Sequence, residues 1–145
     1  MTISELSNYM AMAYFDFRTI HFNTSGDSFY TYHDLAEFLY EKCEDYYDDL
    51  VETAIGNDEW VCSLGTSIIF AEDWELIDPT DFNKISVKET KEYIYDTLVA
   101  IWDKINEVYE NEEYDSFVYS KLDSMKEFFD KEIYKIKQSL KEEKI

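Results

Sequence analysis

HFNTSGDSFYTYHDLAEFLYEKCEDYYDDLVETAIG, residues 21–56, carries both histidines of the chain, a polar break and one long acidic helix. The break is Asn23-Thr-Ser-Gly26-Asp27, a cluster of turn-forming residues. Asp27 or Ser28 is placed to cap the helix that follows, and Gly56 to stop it after Ile55. That helix spans roughly 40 Å at about 1.5 Å per residue. Its apolar positions, Phe29, Leu35, Phe38, Leu39, Tyr46, Leu50, Val51 and Ala54, are set among many acids. Upstream, Leu6, Met10, Ala13, Tyr14, Phe17 and Ile20 recur at three- and four-residue steps, which predicts a helix over 3–22 starting near Ser4.

Downstream, residues 57–86 hold Gly65, Pro79 and an apolar run from Val61 to Phe70 without a sustained helical period. They read as a long connection with one short helix within 68–76. Ile94, Leu98, Ile101, Trp102, Ile105 and Val108 form the stripe of a third long helix over 87–110, with Trp102 in the core. Asn111-Glu112-Glu113 is a short turn. A fourth helix over 113–141 carries Phe117, Val118, Leu122, Met125, Phe129, Ile133, Ile136 and Leu140. The predicted architecture is all-α: one domain, 1–145, built as a four-helix bundle with its single long crossover between helices 2 and 3.

The chain has 13 Lys+Arg against 33 Asp+Glu, a net charge of −20. Binding driven by phosphate contacts needs a basic footprint, so nucleic acid is not an expected partner. Hydrophobic content of 46% sets the chain apart from a disordered acidic tail, and Gly 3 with Pro 1 disfavours a turn-rich β fold. No apolar run approaches the roughly 20 residues of a membrane span. MTISELSNYM has neither a basic region nor an apolar stretch, so no signal peptide is read there. Cys43 and Cys62 form no CxxC pair and read as idle thiols in a reducing cytoplasm. The charge is uneven: residues 1–83 hold 18 acids and only Arg18 and Lys42 as bases, while residues 84–145 hold 15 acids and 11 bases.

His33 and Glu37 are one turn apart, as are Asp48 and Glu52 further along the same helix. Such pairs present two side chains on one face, which suits metal ligation or a shared hydrogen-bond network. Counting about 100° per residue from His33, Glu37 lies about 40° round, Asp48 about 60° and Glu52 about 100°. Yet His33 and Asp48 are roughly 22 Å apart along the axis. They cannot grip one ion within a chain, whereas two copies of the helix packed antiparallel about a two-fold axis would form two identical sites. Imidazole with carboxylate suits Fe(II), Zn or Mn. An acidic helix also offers such pairs by composition alone, and Glu41, Glu44, Asp45 and Asp49 supply others.

The stretch His21-Phe-Asn-Thr-Ser-Gly26-Asp-Ser-Phe29-Tyr-Thr-Tyr-His33-Asp-Leu-Ala-Glu37 resembles the signature of the Dps family, the ferritin-like mini-ferritins. That signature is a histidine–aromatic pair, a glycine, a Phe, then a second histidine followed by an acid four residues on. Asp48-xxx-Glu52 and the Ala54-Ile55-Gly56 ending also fall at matching offsets, and the motif-level similarity covers residues 14–56. The resemblance implies a ferritin-like fold and an inter-subunit ferroxidase site. His21, His33 and Glu37 would come from one subunit, Asp48 and Glu52 from its two-fold mate, with His21, His33, Asp48 and Glu52 catalytic. It implies Fe(II) oxidised by peroxide or oxygen, with mineral stored in a homo-oligomeric shell of twelve cytoplasmic subunits. No organic cofactor, membrane or nucleic acid is expected.

Two departures stand out. The family often has Trp after the first histidine where this chain has Phe22, leaving Tyr30 or Tyr32 as stand-ins. The lysine-rich N-terminal tail by which some members bind DNA is missing. Lys131, Lys135, Lys137, Lys141 and Lys144 are interleaved with Glu132, Glu142 and Glu143, as on a solvated helix face. Two further readings fit the composition: a ferritin-like structural module without iron chemistry, and an acidic DNA-mimic inhibitor. The acidic first half suits electrostatic attraction of Fe(II) as well as simple solubility.

Overall fold

The structure, a computed structural model, describes residues 1–79, 84–110 and 113–141. Four long helices form it: α1 (Ile3–Asn23), α2 (Phe29–Gly56), α4 (Val87–Tyr109) and α5 (Ser116–Ser139). A single turn of helix, α3 (Ser67–Phe70), follows a 3-10 turn at Leu64–Thr66 inside the crossover. α1 packs against both α2 and α4, and α4 against α5. Among the described residues no helix is long and apolar enough to cross a membrane. The Asn111-Glu112-Glu113 turn lies mostly outside the described residues, as do Glu142, Glu143 and Lys144.

α1 is the central element. Leu6, Met10, Ala13, Phe17 and Ile20 are fully buried, and so is much of its opposite face. Each such large side chain contributes about 1.5–3 kcal/mol on leaving water. The helix starts at Thr2 rather than Ser4. Thr2 Oγ1 accepts from the Glu5 amide at 3.1 Å and Glu5 Oε1 from the Thr2 amide at 3.3 Å, a complete capping box. Two further amides that helix geometry leaves open are met from far along the chain. Ile3 N donates to Tyr114 Oη and Ser4 N to Glu59 Oε1, both at 2.9 Å, and the Tyr114 hydroxyl donates to the Glu59 carboxylate. Tyr114 is thereby held outside helical geometry, so α5 begins at Ser116 and not at 113.

The turn between α1 and α2 needs a left-handed backbone at Gly26 (φ 87°) and again at Ser28 (φ 65°). Ser28 is the N-cap residue, but its side chain makes no capping bond. At the far end, Gly56 is the last helical residue rather than the stop. Asp58 takes the left-handed conformation (φ 60°). Its amide donates to Ile55 O at 3.0 Å and that of Glu59 to Ala54 O at 2.9 Å, a Schellman closure two residues beyond the glycine.

The crossover is tied down by an acid of α1. Asp16, 2% exposed, accepts from Trp74 Nε1 at 2.8 Å and from the Ile77 amide at 2.9 Å. Asp73 accepts from Tyr9 Oη at 2.8 Å and Lys104 Nζ at 2.7 Å. With its Trp74 side chain and Ile77 backbone committed to α1, the segment after Phe70 stays non-helical, so the short helix is one turn at 67–70 instead of lying within 68–76. The crossover ends in a parallel bridge between Thr24 and Ile85, which fixes the α1–α2 turn against the start of α4. Trp102 is only partly buried. Lys126 Nζ lies 5.2 Å from its ring centre, and its Nε1 has no hydrogen-bond partner among the described residues.

Candidate metal centre

The α1–α2 turn brings the two histidines together although they are twelve residues apart. His21, in the last turn of α1, is buried; His33, one turn into α2, is half-buried. Their rings stack with centroids 3.7 Å apart and planes 23° from parallel. Each ring bonds to the other's backbone: His21 Nδ1 to His33 O at 2.9 Å, and His33 Nδ1 to His21 O at 2.8 Å. A carbonyl oxygen only accepts, so both Nδ1 atoms carry the proton. In the neutral rings this leaves Nε2 as the lone pair on each imidazole, the state a metal ligand requires. The His21 carbonyl belongs to the end of α1, where helix geometry leaves acceptors open, so the clasp also closes that end.

Aromatic groups wall the pair. Phe29 stacks on His33 at 4.8 Å; Phe22 and Tyr40 meet His21 edge-on at 5.2 and 5.3 Å. Phe22 is 54% exposed. The two expected stand-ins for an indole lie elsewhere. Tyr30 is 80% exposed and pairs with Phe29, while Tyr32 is buried with Lys91 over its ring. Tyr40 is the tyrosine that lies against His21, and its hydroxyl faces Glu37 at a long 3.5 Å. Burial and then the Glu37 carboxylate push the Tyr40 phenol up, with Arg18 pulling the other way. Arg18 lies 4.6 Å over the Tyr40 ring and also contacts Tyr14 and Phe22. Tyr40 and Arg18 carry a helical-spacing signal, three residues after Glu37 and three before His21, that a search for ligands passes over.

Asp48 and Glu52 are exposed on α2, four residues apart, and make no hydrogen bond or ion pair with a described residue. The acid between them, Asp49, is spent on Lys121 of α5 at 2.6 Å. Glu37 is half-buried beside His33. The structure thus places His21, His33 and Glu37 at one end of α2 and Asp48 and Glu52 well along it. Among the described residues no group of three or more His, Cys, Asp and Glu in one chain is arranged to hold a metal ion. Cys43 is fully buried in the core, which pushes its thiol far up; Cys62 is buried, its Sγ donating to Asn8 Oδ1 at 3.2 Å. A separate acidic cavity of about 600 Å³ between the crossover and α4, bordered by Asp16, Asp73, Asp96 and Glu107, includes none of these histidines or paired acids.

No family model matches the chain, and no curated protein sequence matches it. Solved structures do. Dps from Staphylococcus aureus superposes with a TM-score of 0.82 at 19% identity, covering 97% of this chain and 95% of that one. Dps from Listeria monocytogenes gives 0.82 at 22% identity, covering 97% and 94%. Dps from Bacillus brevis gives 0.80 at 20% identity, covering 96% and 95%. The chain therefore has the fold of the Dps structures: an all-α, ferritin-like four-helix bundle with its long crossover between the second and third long helices.

Proposed function

We propose that this chain is a Dps-like ferroxidase and iron-storage protein. Fe(II), the substrate, binds between two copies, held by His21, His33 and Glu37 of one and by Asp48 and Glu52 of the other. The reading rests on one observation above all: the reciprocal Nδ1 bonds leave two adjacent imidazoles with only Nε2 free, while among the described residues of one chain no three His, Cys, Asp or Glu are arranged to hold an ion. A pre-set tautomer and ring orientation spare the ligands that reorganisation when the ion arrives. Carboxylates from a second chain would lower the charge of the bound iron and favour the ferric product. Two Fe(II) passing one electron each to a peroxide yield two Fe(III) and two hydroxides, so the site needs an oxidant and an outlet for the ferric ion rather than an organic cofactor. We further read the copies as cytoplasmic, two-fold dimers that join in a shell of twelve enclosing the mineral.

The test is the double variant His21→Ala/His33→Ala. Each lost Nδ1 bond is worth about 1 kcal/mol net, so helix content should stay nearly unchanged. Rapid Fe(II) oxidation, followed by the rise of ferric absorbance with peroxide or oxygen, should disappear. Oxidation at the wild-type rate in a folded double variant would remove the histidines from the mechanism.

A further inference from the structure

The face of α2 that would meet a second copy carries a charge problem. The pairing proposed above aligns His33 with Glu52 of the partner subunit, and Glu37 with Asp48 of the partner subunit. In that same register Glu41 aligns with Glu44 of the partner subunit, so the two-fold axis passes among four carboxylates. Glu41 and Glu44 are exposed and have no ion pair among the described residues. Like charges brought together in a partly desolvated contact oppose association.

Only two bases occur in residues 1–83, and they are used differently. Lys42 points to the other side of α2, its Nζ 5.2 and 5.4 Å from the rings of Tyr46 and Phe128. Arg18 lies on the histidine side. Among the described residues it has no carboxylate within ion-pair distance, and its one hydrogen bond there is to a phenol, Nη1 to Tyr14 Oη at 3.2 Å. Its guanidinium rests on the Tyr40 ring, which fixes the group while leaving most of its five donors unused. A stacked, half-buried guanidinium with no acid to meet is an incomplete contact.

The same face supplies the complement. Ala11, Tyr14, Tyr47 and Leu64 floor a notch of about 100 Å³ whose rim carries Glu44 and Asp48. Arg18 sits level with Tyr40, and antiparallel pairing brings the level of Tyr40 opposite residues 44–48 of the partner subunit. We propose that Arg18 is the self-recognition residue of this chain: its guanidinium seats in the second copy's notch and pairs with Glu44 of the partner subunit, leaving Asp48 to the iron. Applied twice by symmetry, the contact sets two cations against the four central carboxylates and fixes the register in which the two half-sites meet. The inference rests on the two-chain reading of the metal centre and adds the contact that selects a second copy as partner.

Charge reversal tests it on the full chain. Sedimentation equilibrium should show that Arg18→Glu and Glu44→Arg each weaken self-association roughly tenfold or more. The double variant Arg18→Glu/Glu44→Arg should recover most of the loss, because each chain then offers the reversed pair. Should Arg18→Glu fail to fold by circular dichroism, Arg18→Gln keeps the stacked stem without the charge and should weaken association in the same direction. Folded single variants that associate like the wild type would overturn the proposal, as would a double variant no better than either single. Fe(II) oxidation is read on the same samples. Association that follows the charges without any oxidation supports the Arg18 contact and contradicts the ferroxidase reading.

Discussion

Asp16 lies in the middle of the most buried helix, and nothing in apolar spacing reveals it, because an acid between Phe15 and Phe17 reads as a step on the solvent face. In the fold it is 2% exposed and holds the crossover through Trp74 and Ile77. Burial pushes its carboxyl up to about 6 from an ordinary 3.8, against the pull of the two N–H donors. The folded state therefore holds a proton that the unfolded chain releases between about pH 4 and pH 6. The stabilisation from this group is fully present below about pH 4 and is lost as pH rises through 6, a change on the order of 3 kcal/mol. Urea unfolding of the wild type and of Asp16→Asn, compared from pH 4 to 7, should show the wild type losing about that much relative to the variant. A difference independent of pH would contradict it. The histidines are the opposite case. The resemblance put both in one half-site, but only the turn geometry reveals the paired Nδ1 bonds, because the acceptors are backbone carbonyls that spacing does not encode.

Helix α2 shows how far the elements could be read from residues. Its length and acidic character follow from composition and period, but its end does not. Gly56 carries the usual C-terminal signal, while the chain runs on and closes the Schellman bonds with Asp58 in the left-handed region. An L-residue there is strained by about 1 kcal/mol relative to glycine. Asp58→Gly should therefore raise the unfolding midpoint, worth about 0.5–1 kcal/mol less whatever chain entropy glycine adds to the unfolded state. A lowered midpoint would show that the Asp58 side chain matters more than its backbone. The other shortfalls share a cause: the Tyr114–Glu59 tether that delays α5 and the Asp16 anchor that keeps residues 71–78 non-helical are contacts between distant segments, so they override local preference without leaving a local mark. The four long stripes were legible because each buries one face, and burial of a face is what periodicity records.

For the whole molecule, a net charge of −20 and ion pairing within α5 set what the surface can meet. Lys131 pairs with Glu127 at 3.1 Å and Lys135 with Glu132 at 3.3 Å, so these lysines serve their own helix. Duplex DNA should not shift in a gel at about 150 mM salt, where the Debye length is about 8 Å and the protein presents no excess of cations. A salt-sensitive shift at micromolar protein would contradict this. Assembly is the larger claim, because the proposed Fe(II) site needs a second copy: roughly 22 Å of helix separate His33 from Asp48. His33→Ala and Asp48→Ala proteins should each be inactive alone, every site in them lacking one ligand. Dissociated, mixed and reassembled, with exchange verified by mass, they should place an intact His33 opposite an intact Asp48 in about one site in four, and Fe(II) oxidation should return to about a quarter of the wild-type rate. Verified exchange with no return of oxidation would contradict a site shared between two chains.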